Sequence, residues 1–156
     1  MGTPAYRIPV NRPTHTPRVD SYVVEALHSG HLSGDGAFTK RCQDILSGVL
    51  GDASVLLTTS GTHALELMAL LLDIGAGDEV IVPSFTFIAS ANAILYTGAT
   101  VVFADIDPRT YNIDPNDIEH RITKRTKATM PVDQIGMTAD MDAITAIAKK
   151  RGIAVV

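Results

Sequence analysis

A second cysteine is missing from this chain. Cys42 is the only one in 156 residues, so no internal disulfide can form, and between Arg41 and Gln43 it offers no metal-ligand spacing. Cys42 therefore reads as structural, and no metal site is expected. Positive charge is also in short supply: 13 Lys and Arg stand against 17 Asp and Glu, a net charge of -4. That balance leaves no basic face to neutralise the phosphates of a nucleic acid or an anionic membrane. Long apolar runs are absent as well. The longest, Ala64 to Leu72, contains Glu66 and is too short to cross a bilayer. The opening MGTPAYRIPVNRPTHTPR carries four prolines and no apolar stretch of the kind a secretory leader needs. A cytoplasmic chain without a membrane or nucleic-acid partner is the expectation. There is no internal repeat and no low-complexity segment. What remains is a globular balance, 46% hydrophobic and 19% charged, enough to bury a core.

Residues 1 to 19, rich in proline and polar groups, read as an extended arm, and residues 20 to 156 as a single domain. Tyr22 to Leu27 suggest a short helix ended by Gly30, followed by the glycine-rich loop Gly34-Asp35-Gly36. Phe38, Cys42, Ile45, Leu46 and Val49 then recur at helical spacing up to Gly51. From there strands and helices alternate. Val55-Leu56-Leu57 reads as a strand, running through Thr58-Thr59-Ser60-Gly61-Thr62 into a nearly all-apolar helix that reaches about Ile74, with Gly75 behind it. Glu79 to Pro83 is a strand, Phe87 to Tyr96 a helix, and Val101 to Ala104 a strand. Asp114 before Pro115 marks the start of a helix to about Ile122. A strand over Ala128 to Val132, a helix from Met141 closed by Lys149-Lys150-Arg151-Gly152, and a fifth strand over Ile153 to Val156 complete the pattern. Successive strand-helix units imply a mostly parallel sheet with helices on both faces, an α/β fold of three layers. Strands without polar alternation, such as EVIVP and VVFA, fit a sheet covered on both sides.

In such sheets ligands gather beyond the carboxyl ends of the strands, and several residues fall there. Where Ser60-Gly61-Thr62 hands a strand over to a helix, the first N–H groups of the helix have no partner of their own. Gly61 permits close approach of a phosphate, Thr62 adds a hydroxyl, and the helix dipole favours negative charge. An ordinary helix cap is the alternative reading of the same residues. The glycines spell neither GxGxxG nor GxxxxGK[ST], so no dinucleotide or P-loop fingerprint is present. Past the next strand, Phe87 sits where an aromatic ring can cover a flat ligand, whereas Phe85 is expected in the core. Asp105 and Asp107 follow a strand two residues apart, but Asp107-Pro108 signals a turn, and neither is assigned catalysis. Asp133 and Gln134 are either ligand-facing or a solvated loop pair. His15, His28, His31 and His120 lack paired spacing and read as surface residues.

The segment SGTHALELMALLLDIGAGDEVIVPSFTFIASANAILYTGATVVFADIDPRTYNIDP, continued by IEHRITKRTKATMPVDQIGMTADMDAITAIAKKRGIAVV, resembles the DegT/DnrJ/EryC1/StrS aminotransferases. The earlier SGHLSGDGAFTKRCQ is similar to the branch that aminates dTDP-4-keto-6-deoxy sugars. The resemblance implies the front part of the large domain of a fold-type I enzyme that uses pyridoxal 5'-phosphate (PLP), takes its amino group from glutamate, and works as a homodimer on a nucleotide sugar. It implies that Gly61, Thr62 and the amide of His63 hold the cofactor phosphate, that Ser60 shapes the turn, and that Phe87 stacks on the ring. Gly34, Asp35 and Gly36 would lie near the substrate, with Asp133 and Gln134 also on the substrate side. Two departures stand out. Relatives carry Pro-Val-His where this chain has Pro131-Val132-Asp133. None of Lys40, Lys124, Lys127, Lys149 or Lys150 matches the lysine that binds the cofactor covalently, nor is the aspartate that pairs with the pyridine nitrogen present. By the resemblance this chain is therefore a cradle without a catalytic residue, inactive alone; the alternative is a non-catalytic module that dimerises or binds a phosphorylated ligand.

Overall fold

The computed structural model describes residues 11–156, so most of the expected arm lies outside the described residues. The chain divides into two units, residues 1–57 and 58–156, each described by itself.

In the first unit α1 spans Pro17–His28 and α2 spans Ala37–Val49. The arm expected to reach residue 19 thus gives way to helix at Pro17, because a proline at the first helical position has its φ already set and loses no needed N–H. Between the helices the loop is organised by His31. Its ring Nε2 lies 3.2 Å from Gly34 O and 3.3 Å from Ser33 Oγ, and a Cβ at Gly36 would meet His31 Cδ2 at 3.0 Å. Asp35 takes a left-handed φ of 60°. The guanidinium of Arg41 stands over the rings of Tyr22 and Phe38, at 5.3 and 4.9 Å from their centroids. Neither helix has a buried residue, and Cys42, expected to be structural, is exposed. The strand expected at Val55–Leu57 is not formed: the stretch has no ladder partner, and Leu56 is exposed. An apolar triplet without a neighbouring edge to bond remains irregular.

The second unit holds a sheet of four parallel strands rather than five, in the order β2-β1-β3-β4. The strands are β1 (Glu79–Pro83), β2 (Thr100–Ala104), β3 (Thr126–Thr129) and β4 (Ala154–Val155). Alternation within β1 decides the layers. Val80 and Val82 point to a core with Ala69, Ile74 and Ile94, whereas Ile81 points to one with Ile113, Ile118 and Ile144. The first core is covered by α3 (Gly61–Leu71) and α4 (Ala89–Leu95), the second by α5 (Pro115–Arg121) and α6 (Met141–Arg151). Helices on both faces of a parallel sheet make the expected three layers. The strand VVFA is only partly covered, because β2 is an edge strand and Phe103 is half exposed.

Local chemistry sets the helix ends. Asp114 accepts from Asn116 N at 2.9 Å ahead of Pro115, and Asp140 accepts from Ala143 N at 3.1 Å. Gly152 closes α6 with a left-handed φ of 68° after Lys149, Lys150 and Arg151, which complement the negative end of the dipole. Asp107 is a turn residue as expected, accepting from Arg109 N at 2.8 Å and from its guanidinium at 2.7 Å. At the foot of β1 the buried Glu79 carboxylate accepts from Thr123 Oγ1 and the Arg125 guanidinium, both at 2.5 Å. No described helix is long and apolar enough to cross a membrane.

Candidate functional site

From β1 the chain leaves through α4 toward β2 on one side. From β3 it leaves through α6 toward β4 on the other, over the opposite face. The loops beyond these two neighbouring strands therefore diverge, and a crevice opens between them, the position where parallel sheets place ligands. A cleft of 510 Å³ occupies it. Thr86, Phe87 and Ser90 contribute from beyond β1, Val132 and Gln134 from beyond β3, and Gly61 with Thr62 from the start of α3.

Ser60 is the cap of α3. Its Oγ accepts from His63 N at 3.2 Å, and its carbonyl accepts from Ala64 N at 3.1 Å. The His63 amide, expected to face a cofactor phosphate, is thus taken by the cap, while the His63 ring Nδ1 lies 2.5 Å from Thr59 Oγ1. The N–H groups of Gly61 and Thr62 have no acceptor among the described residues, as the first turn of a helix dictates. A Cβ built on Gly61 meets nothing within 4 Å. The space beside Gly61 is open, and both residues line the cleft.

Phe87 is 76% exposed. Phe85 is not in the core as expected but half exposed, its ring 5.7 Å from that of Tyr111. It lies past the strand end, where no helix covers it. Gln134 bridges the crevice by donating from Nε2 to Phe85 O at 2.7 Å. Asp133 does not line the cleft. Its carboxylate accepts from Ala139 N at 2.9 Å and closes its own loop. Gly34, Asp35 and Gly36 belong to the first unit. The sequence reading missed Thr86 and Ser90, whose hydroxyls meet at 2.9 Å on the cleft wall, and the buried Asn112 described below. No metal-binding cluster of His, Cys, Asp and Glu occurs among the described residues.

Fold and cleft define a class: an α/β protein that presents the free amides of a helix N-terminus and an exposed aromatic residue in one crevice at a sheet's switch point. Residues 13–156 match the DegT/DnrJ/EryC1/StrS aminotransferase family, and the chain belongs to that family of PLP-dependent enzymes. It is 42% identical over 144 residues to GDP-perosamine synthase of Caulobacter vibrioides, covering 90% of this chain and 39% of that protein. It is 47% identical over 139 residues to UDP-2-acetamido-2-deoxy-3-oxo-D-glucuronate aminotransferase of Pseudomonas aeruginosa, covering 89% and 38%. Among solved structures, NtdA of Bacillus subtilis with bound cofactor PMP superposes with a TM-score of 0.84 at 36% identity, covering 88% of this chain and 31% of that one. The chain thus spans about two fifths of the length of the curated relatives it matches.

Proposed function

We propose that this chain supplies the cofactor-phosphate end of a PLP-dependent aminotransferase, one that moves an amino group from glutamate to the keto carbon of a 4-keto-6-deoxy sugar nucleotide. The observation that carries this reading is the shared cleft: Gly61 and Thr62 offer N–H groups without acceptors among the described residues, and Phe87 stands in the same cavity. A phosphate dianion fits such a place, because unsatisfied amides and the positive end of the α3 dipole meet at the start of that helix. The Thr62 hydroxyl adds a donor, and Phe87 gives a flat ring a surface to lie on. Ser60 contributes indirectly by holding the first turn, and His63 through its amide's bond to that cap. When bound, PLP supplies the electron sink for amino transfer. Gln134 is proposed on the substrate side of the cleft, Gly34, Asp35 and Gly36 are proposed as substrate-side residues of the first unit, and the working unit is proposed to be a homodimer.

Support for a nucleotide-sugar substrate comes from the names of the two relatives above, one a GDP-perosamine synthase and the other acting on a UDP-linked 3-oxo sugar. One observation favours a second reading, in which the chain alone binds a phosphorylated ligand without chemistry. No lysine lines the cleft among the described residues.

The test is a titration of the chain with PLP and, separately, with inorganic phosphate. Both are expected to bind saturably, and Phe87→Ala is expected to weaken PLP about tenfold while leaving phosphate unchanged, since it removes a stacking surface only. Failure of both ligands to bind contradicts the reading. For the substrate, a full-length family enzyme carrying residues 1–156 in place of its own front part is expected to aminate a dTDP-linked 4-keto-6-deoxy sugar with glutamate. Activity solely on a 3-oxo sugar would replace the proposed substrate.

A further inference from the structure

Asn112 lies outside every motif, yet the residue is only 3% exposed and its side chain makes two bonds that cross between loops. Its Oδ1 accepts from Gln134 N at 2.9 Å, and its Nδ2 donates to Met137 O at 2.9 Å. One partner is a donor and the other an acceptor, so the orientation of the carboxamide is decided by the network itself. The two bonds grip both ends of a short turn. Inside it Ile135 (φ 54°, ψ 31°) and Gly136 (φ 78°) are both left-handed. A β-branched residue with positive φ persists only where its surroundings impose that conformation. Ile135 is 89% exposed, so its own side chain has little packing to impose anything, and the grip of Asn112 supplies the constraint.

The chain of bonds continues. Gln134, held through its amide, donates from Nε2 to Phe85 O at 2.7 Å, two residues before Phe87. The Tyr111 ring meets the Phe85 ring at 5.7 Å, a second tie between the same loops. Asn112 itself is anchored because its carbonyl accepts from Asp107 N at 2.9 Å. The loops beyond β2, β3 and β1 are therefore joined in one relay, Asn112 to Gln134 to Phe85.

We propose that Asn112 is a positioning residue for the ring end of the cleft. It fixes the turn that carries Gln134, and Gln134 fixes the segment that presents Phe87, while the amides of Gly61 and Thr62 stand outside the relay. This rests on the reading that the cleft holds PLP. The two ends of that cofactor separate the roles: inorganic phosphate probes the amides alone, whereas PLP probes the amides and the ring wall together.

The experiment measures both affinities on the 156-residue chain, for wild type, Asn112→Ala, Gln134→Ala and the double variant, with a thermal melt of each. The expected result is a split. Each single variant weakens PLP on the order of tenfold, as loss of a positioning hydrogen bond implies, inorganic phosphate is held within about twofold, and the double variant is no worse than the worse single, because both act through one relay. Should Asn112→Ala fail to fold, the half-buried Gln134→Ala decides alone by the same split. Equal loss of both ligands, or no loss of either, would overturn the role of Asn112 while leaving the cleft assignment standing. A wild type that binds phosphate but not PLP also overturns it, and one that binds neither removes the cleft assignment and this inference together.

Discussion

At the scale of single residues, the cap of α3 shows how one hydroxyl sorts three amides. Ser60 Oγ takes the His63 N–H, so the donors left facing the cleft are those of Gly61 and Thr62. The family resemblance pointed to three donors, and the cap leaves two. Charge is sorted in the same local way. Hydrogen bonds from the Arg109 side chain and backbone hold the Asp107 carboxyl down to about 2. Its pKa is lowered in the folded state, so its contribution to stability is present above the ordinary carboxylate range and is lost as pH falls toward 2. Asp78 is lowered by its bond from Gly75 N and then by Lys127, and Glu119 by Lys150 and then Arg151, so both add to the same acid limb. Acid unfolding followed by circular dichroism is expected to steepen below about pH 4, and Asp107→Asn is expected to flatten that limb by lowering stability at neutral pH while leaving it almost unchanged near pH 2. An identical acid limb in the variant would show that the pairing with Arg109 does not matter to folding.

At the scale of elements, helix ends were legible and strand partners were not. Asp114-Pro115 and the run Lys149-Lys150-Arg151-Gly152 announce their helix ends because caps, dipoles and left-handed glycines act over three or four neighbouring residues. Gly152 shows the cost directly. Its φ is 68°, and an added Cβ meets nothing within 4 Å, so Gly152→Ala carries a penalty of backbone strain alone. A loss of about 1 kcal/mol in unfolding free energy is expected, and an unchanged denaturation midpoint would contradict the left-handed closure of α6. The triplet Val55-Leu56-Leu57 has the composition of a strand, but a strand exists only with a ladder partner, which composition does not report. Phe85 was misread for a related reason: burial depends on what lies opposite, and an apolar residue carries no record of that. Asn112 was invisible because its bonds reach 22 and 25 residues along the chain. Of the candidate site, Gly61 and Thr62 were legible as the start of a helix, and Phe87 and Gln134 as residues past strand ends. The site was not legible at Thr86 and Ser90, because their hydroxyls are brought together only when the loop after β1 turns into α4.

At the scale of the whole molecule, the sheet order β2-β1-β3-β4 turns these separate junctions into one crevice, because connections leave β1 and β3 in opposite directions. What gathers there is a set of donors and an aromatic surface, with no lysine in the lining among the described residues. An amine is required to hold PLP covalently. Borohydride reduction of the chain mixed with PLP is therefore expected to leave no stoichiometric adduct by mass spectrometry. A single lysine fully labelled would place a reactive amine at the cleft and contradict the lining described above.

The central claim is that the first amides of α3 are the anion-binding groups. Amide resonances of the isotope-labelled chain, followed while inorganic phosphate is added, test it most directly. The account predicts saturable shifts at Gly61 and Thr62, a smaller response at His63, whose amide is already bonded, and none at Gly152. Gly61 and Thr62 resonances that stay fixed while phosphate binds elsewhere would contradict it.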